Sequence, residues 1–594
     1  MLLSDFVIDF LVKNGLKDIF LVSGGGIMYL LDSIARNKKI NYISNYHEQA
    51  SAISAEGYSR VTAKPGVCLV TTGPGSTNAV TGVAGAWVES IPMVVISGQV
   101  KRETIADYTK LRQLGVQEIN IIDIVKKITK YSKEVIDPNL IAYELERAFF
   151  EATDGRPGPV WLSIPLDVQN TVINEKNLKH FKPLSVKQKN ASLIKQVKET
   201  VELMKKSRRP LLAVGFGIRL AQGEKLLYKL MDKLRIPVVH NINSVDLVNE
   251  DHPLNIGLFG PHGHRRANFA VQNCDFLLTI GSGLDINETG FNFKDFARKA
   301  KKIGINIDKA ELEKANVMLD LPIVADAGEF MGSLLKEIKG EKFNFSKKWF
   351  EVCLYWKDKY PTIIKEYFRD KEHVNSYVFM DVLSDITNPT DVLTTGIGQD
   401  VVAFYQAFKI KKGQRAFANK HFGGMGWCLP LTIGACVGNK KSRTVCVTGD
   451  GSIQFNIQEL NTIDYYRLPI KIFVFSNKGY KSIRDTQNNL FEGRLVGADE
   501  TSGVQNPNFK KISEGYNLKY GYIKNNEELK KKISEALEFK GPTLYEVNIA
   551  FDQPRIPKSV TYRNKDGQLK SRPLEDLWPL LSREELKKNM TFFK

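Results

Sequence analysis

Two runs decide how this chain is read: "RTVCVTGDGS" at Arg443–Ser452 and "LPIKIFVFSNKGY" at Leu468–Tyr480. Each is an apolar, β-branched stretch of strand length that gives way to glycine and a polar oxygen donor. Asp450 follows the first and Asn477 the second, 27 positions later, so both donors are expected at the same end of neighbouring strands. A hard cation such as Mg²⁺ takes few protein oxygens in near-octahedral geometry and keeps its other positions for phosphate oxygens and water. Gly449 and Gly451 let backbone N–H groups approach an anion, and "IQELNTIDYYR" (Ile457–Arg467) reads as a helix whose N-terminus favours the same charge. The expected ligand is a diphosphate held through a metal.

Asp450-Gly451 alone reads as a tight turn. With Asn477 at this interval and Gly479 two residues further on, the segment resembles the metal and diphosphate motif of thiamine-diphosphate enzymes, and the resemblance extends over nearly the whole chain. It implies Asp450, Asn477 and Gly479 as metal ligands, with Gly449, Gly451, Ser452 and Tyr480 also on the cofactor.

Such an enzyme needs a second, unrelated element. A carboxyl group must protonate the cofactor's pyrimidine ring so that the exocyclic nitrogen can remove the thiazolium proton. "NYHEQASAISAEGYSR" (Asn45–Arg60) offers Glu48 ahead of a small-residue helix. An isolated glutamate at a helix start is ordinarily a solvated charge favoured by the dipole. Here "HEQ" followed by "AEGYSR", with "LVSGGG" upstream at Gly25, resembles the pyrimidine-binding domain of the acetolactate synthase group, and Glu48 becomes the proton donor.

Further segments resemble that group in the same order. "TTGPGSTNAVTGVAGAW" (Thr71–Trp87) supplies Thr72, Pro74 and Asn78 as pyrimidine contacts, and "TTGIGQD" supplies Gly398 and Gln399 on the diphosphate side. "HFGGMGWCLPLTIGACVG" (His421–Gly438) carries Gly423 and Met425. Met425 stands where the family wedges an apolar side chain between the two cofactor rings; its plainer reading is a core methionine. Gln117, beside Glu118, resembles a substrate-proximal catalytic position, although Val116 stands where an aromatic is usual. Thr486 occupies the place of the family's acceptor-selecting tryptophan, which suggests a different or larger acceptor.

Composition fits a large globular enzyme. The chain has 594 residues, 43% hydrophobic and 25% charged, enough for three or four domains. No apolar run reaches membrane-spanning length. The N-terminus is interrupted by Asp5, Asp9 and Lys13 and reads as an amphipathic helix, so a cytoplasmic protein is expected. Six cysteines lie mostly in apolar runs with no CxxC spacing and read as buried free thiols. The formal charge of +18 comes from lysines interleaved with acids along helices, which argues against nucleic-acid binding and leaves some attraction for anionic substrates.

Short apolar strands alternating with helices predict an α/β fold of three doubly wound parallel-sheet domains, with ligands beyond the carboxyl ends of strands. The expected blocks are residues 1–172 (pyrimidine-binding), 191–335 (middle), 373–552 (diphosphate and metal) and a tail, 553–594, that is either a lid over the cofactor or a packing arm. A polar linker, "EKNLKHFKPLSVKQKNAS", joins the first two. The middle block resembles a flavin-binding domain, with Arg219, His262, Asp308 and Asp326 at matching places. The family's usual "GARFDDRVTG" is here "GSGLDINETG" (Gly281–Gly290), so Gly283 and Asn287 replace two arginines, and the domain reads either as a site for FAD or as cofactor-free.

The resemblance implies a thiamine diphosphate and Mg²⁺ dependent enzyme acting on a 2-keto acid, pyruvate above all, with ligation to a second carbonyl. The acceptor alternatives are another 2-keto acid, an aldehyde, or the ketone of a nucleotide-linked sugar; simple decarboxylation, oxidation or a non-catalytic scaffold are the rival outcomes. It further implies a homo-oligomer, at least a dimer, with each active site at the interface.

Overall fold

The computed structural model describes residues 1–183 and 191–592, so the second half of the polar linker lies outside the described residues. Three six-stranded parallel sheets carry the chain. The first comprises β1 (Asp18–Leu21), β2 (Asn41–Ser44), β3 (Gly66–Val70), β4 (Met93–Gln99), β5 (Tyr131–Glu134) and β6 (Pro159–Pro165), in the order β2-β1-β3-β4-β6-β5. The second comprises β7 (Pro210–Val214), β8 (Val238–His240), β9 (Asn255–Leu258), β10 (Phe276–Ile280), β11 (Lys301–Asn306) and β12 (Leu321–Val324), in the order β12-β11-β10-β7-β8-β9. The third comprises β13 (Val392–Thr395), β14 (Arg415–Phe417), β15 (Thr444–Gly449), β16 (Ile470–Ser476), β17 (Lys519–Ile523) and β18 (Thr543–Asn548), in the order β14-β13-β15-β16-β18-β17. The central strands read as continuous apolar runs because helices cover both faces: β3, β4, β6, β7 and β10 are buried throughout.

The first and third sheets share one strand order, and their second strands each lead into a helix, Glu48–Thr62 and Cys428–Gly438. These two helices cross at reciprocal glycines. A Cβ on Gly57 would strike the Leu431 carbonyl, and one on Gly434 would strike the Ser54 carbonyl; Ser54 Oγ donates to Pro430 O at 2.9 Å. The small residues that the sequence spaces along both helices are thus what lets the two backbones touch, and one buried cluster runs from Phe20 and Ala52 through Ile433 to Val474.

Between the middle and third blocks lies a helix, Lys347–Lys359, whose Trp349 and Trp356 are buried. The tail divides. Residues from Leu574 onward pack on the middle domain: Asn268 donates to Leu574 O, Gln272 to Glu575, and Trp356 Nε1 to Asn589 Oδ1 at 3.0 Å. That stretch is the packing arm of the two readings. Its start, near Arg555, lies elsewhere, against the helix Lys481–Leu490. Among the described residues no helix is long and apolar enough to cross a membrane, and the six cysteines are free and buried.

Candidate active site

Strands β15 and β16 pair in parallel with Gly449 opposite Phe475, so Asp450 and Asn477 leave the sheet side by side. Asp450 Oδ1 accepts from Gly451 N at 2.7 Å; Oδ2 accepts from Asn477 N at 2.8 Å and Gly479 N at 3.2 Å. Burial pushes its carboxyl up to about 6 against the pull of those N–H groups. The carboxylate is therefore buried and its only hydrogen-bond donors here are backbone N–H groups. Gly479 adopts φ +119°, where a side chain would be strained and would press on Ala498 O at 2.6 Å. Arg484 locks the loop from behind, donating to the carbonyls of Asn477 at 3.0 Å and Lys478 at 3.1 Å. The Tyr480 ring covers Gly451 so closely that a Cβ there could not fit. The helix expected over Ile457–Arg467 is present as Glu459–Tyr465, preceded by a 3₁₀ turn, Ile453–Asn456.

The segment before Cys428 is tied to this loop. Ser452 Oγ accepts from Gly426 N at 3.0 Å and Asn456 donates to Gly426 O at 2.9 Å. Gly423 and Gly426 take φ of +68° and +78°, which turns the chain around the half-buried Met425. Gly398 N donates to Asp400 Oδ1 at 2.8 Å, and Gln399 Nε2 to Ser376 Oγ at 2.9 Å, leaving Gln399 Oε1 buried without a partner.

In the first domain Glu48 opens its helix and is 9% exposed. Asn78 Nδ2 donates to Glu48 Oε2 at 2.9 Å, so Asn78 positions the glutamate. Gly25 faces open space, whereas Gly24 and Gly26 pack on Thr71. The Thr72 hydroxyl turns inward to donate to Gln99 Oε1 at 2.9 Å, a brace between strand ends. Pro74 starts the helix Pro74–Val88, where its missing N–H costs nothing. Gln117 is exposed, holds φ +64°, and sets its carbonyl on Gly73. Thr486 is partly occupied, its Oγ1 donating to Ser482 O at 3.0 Å.

Three family models match this chain: the thiamine pyrophosphate enzyme N-terminal TPP binding domain over residues 1–124, the central domain over 197–334 and the C-terminal TPP binding domain over 396–547. The chain belongs to the thiamine pyrophosphate enzymes. Among similar proteins, the acetolactate synthase large subunit of Cyanidium caldarium is 32% identical over 567 residues, covering 93% of this chain and 94% of that protein. The probable acetolactate synthase large subunit of Methanocaldococcus jannaschii is 32% identical, with 93% of each covered. Acetolactate synthase 2, chloroplastic, of Nicotiana tabacum is 31% identical, with 94% and 84% covered. This is an acetolactate synthase-like enzyme built on thiamine pyrophosphate domains.

Contacts that the letters did not disclose bind these domains together. Glu56 and Arg60 pair at 2.8 Å, Arg60 reaches Glu89 at 3.2 Å, and Trp427 Nε1 donates to Glu56 Oε2 at 2.9 Å. His421 N donates to Glu89 Oε1 at 2.8 Å while His421 Nε2 meets Asp285 of the middle domain at 2.7 Å. Despite burial, the neighbouring Glu89 and Asp285 raise His421 to about 11, and His421 and Arg60 hold Glu89 down to about 2. The i, i+4 spacing of Glu56 and Arg60 was the one available signal. Glu459 likewise accepts from Asn45 at 2.8 Å and Tyr46 N at 2.9 Å, and lies on the helix beyond the Asp450 loop, so it ties the loop before Glu48 to that helix.

The middle domain opens a cavity of about 990 Å³ at the carboxyl ends of β7, β10, β11 and β12, the switch point of its strand order. Asp285, Glu288, Glu311, Asp326 and Glu329 line it. Its cations are already engaged: Arg156 with Asp308 and Glu311, Lys314 with Glu311, and His421 with Asp285.

Proposed function

We propose that this enzyme decarboxylates a 2-keto acid, pyruvate first, and joins the two-carbon fragment to an acceptor carbonyl, with thiamine diphosphate and Mg²⁺. The observation that carries the reading is the Asp450 carboxylate, buried at paired strand ends and held by three backbone N–H groups, together with a buried Glu48 fixed by Asn78. The residues fit the group: Asp450, Asn477 and Gly479 would hold the metal, and Gly451, Ser452 and Gln399 the diphosphate.

Thiamine diphosphate supplies a nucleophilic carbon and an electron sink. Glu48 holds a proton at the pyrimidine nitrogen. Met425 would offer the cofactor an apolar surface, its loop fixed through Gly426 to Ser452. Gln117, exposed on a backbone at φ +64°, would offer its amide to the substrate. Exposed Val116, Leu111, Leu114 and Phe455 lie on the loops around these groups, an apolar border suited to a second copy of the chain, and we assign each active site to Glu48 of one subunit and Asp450 of the other.

No flavin enters this reading. At Gly283 and Asn287 the donors for a flavin diphosphate are gone, Arg219 is spent on Glu224 and Asp246, and the acidic cavity would repel a diphosphate. Incubation with pyruvate and candidate acceptors, with products identified by mass spectrometry, tests the proposal: a ligated hydroxyketone is expected, and free acetaldehyde as sole product would overturn it.

A further inference from the structure

Where the tail begins, four cations gather with little to neutralise them. Arg555 reaches Ser482 Oγ at 3.0 Å and Asp485 at 3.3 Å, and its Nε is buried with no partner. Lys481 uses the same Asp485 at 2.8 Å. The Lys558 ammonium forms no hydrogen bond or ion pair among the described residues and lies 5.7 Å from the ring of Trp578. For Lys420, half-buried and five residues before Met425, no hydrogen bond or ion pair is formed among the described residues.

His262 of the middle domain completes the group: Gln406 Nε2 bridges its carbonyl and that of Pro557 at 2.7 and 2.9 Å, and its Nδ1 is buried without a partner. Burial and the fields of Lys420, Arg555 and Lys558 hold the imidazole down to about 3, so it stays neutral. Asp400, lying behind Gly398, is the other carboxylate whose field reaches Lys420.

Desolvated cations with so few carboxylates among them are costly unless an anion joins them. A planar guanidinium with a free Nε–H, a free ammonium and an imidazole nitrogen make a donor set for a tetrahedral, doubly charged oxyanion. The cluster also stands at the right place, on the helix that leaves the metal loop and beside the Met425 segment.

We propose that this seam of Lys420, Arg555, Lys558 and His262 binds a phosphate group carried by the acceptor substrate, making it the specificity determinant for a phosphorylated carbonyl compound. The inference rests on the carboligase reading above. The same phosphate chemistry could come from the cofactor's own diphosphate, and the experiment separates the two.

Assay the holoenzyme with pyruvate as donor and either acetaldehyde or glyceraldehyde 3-phosphate as acceptor, in wild type, Lys420→Met and Arg555→Lys. Loss of one charged hydrogen bond should lower kcat/KM for the phosphorylated aldehyde about 10-fold or more in Lys420→Met. Acetaldehyde turnover and the Kd for thiamine diphosphate should stay within about twofold, and Arg555→Lys should retain part of the preference. Inorganic phosphate should compete with the phosphorylated acceptor in wild type and not in Lys420→Met. An equal fall with both aldehydes would reduce the cluster to a structural role, and a matching rise in the thiamine diphosphate Kd would assign it to the cofactor; either overturns the proposal. If wild type ligates neither aldehyde, calorimetric titration of the holoenzyme with inorganic phosphate decides whether the seam binds phosphate, and no binding overturns the proposal; product analysis with a 2-keto acid acceptor then tests the carboligase reading separately.

Discussion

The first and third domains are the same sheet used twice, yet the residues at their strand ends differ in kind. In each, the third and fourth strands end side by side. At the ends of β3 and β4 a neutral brace forms, Thr72 to Gln99 at 2.9 Å; at β15 and β16 a carboxylate accepts the N–H of Asn477 at 2.8 Å. Each second strand leads to one of the crossing helices, and only the first of these opens with a glutamate. Strand order therefore fixes where a site lies, and one or two residues after the strand fix its chemistry.

Removing either charge should break the comparison most completely. Asp450→Asn is expected to abolish Mg²⁺-dependent binding of thiamine diphosphate by calorimetry, and Glu48→Gln to lower kcat by ~10²–10⁴-fold while leaving that binding largely intact. Undiminished turnover in Glu48→Gln would deny it the proton-donor role.

The symmetry itself breaks next. Gly434→Val places a side chain against the Ser54 carbonyl, and overpacking of about 1–3 kcal/mol or more should lower Tm and separate the two domains' unfolding; an unchanged melting profile would mean that the crossing is looser than drawn.

His421 gives a pH signature. Its raised value adds stability in full below about pH 6.5, lost as pH climbs through about 11. The lowered Glu89 adds stability in full above about pH 4.5, lost as pH falls through about 2. Tm should therefore be highest between those limits, and His421→Gln should flatten the decline from pH 7 to 10; a wild-type profile in the mutant would remove His421 from the account.

The smallest effect belongs to the neutral brace. Thr72→Val should cost about 1 kcal/mol by denaturant titration, because Gln99 Oε1 keeps Val100 N at 3.0 Å.

Much of this was legible in the letters because it is local. Strand-length apolar runs ending in glycine located Asp450 and Asn477, and alternation with helices announced three parallel sheets. The shared strand order was not legible, since topology is set by pairings between strands far apart in sequence. The inward turn of Thr72 depends on Gln99, and the bridge of Arg60, Glu89, His421 and Asp285 spans three domains; no spacing rule anticipates either. The tail's two roles were equally hidden, because Arg555 and Glu575 look alike as charges until their neighbours are known.

The meeting of Glu48 and Asp450 from different subunits has a direct test. Inactive Glu48→Gln and Asp450→Asn proteins are unfolded together, refolded as a mixture and assayed with pyruvate. Half of the random dimers pair the two variants, and one of their two sites regains both residues, so about a quarter of wild-type activity should return. A mixture as inactive as either variant alone would place both residues in one chain's site and contradict the claim.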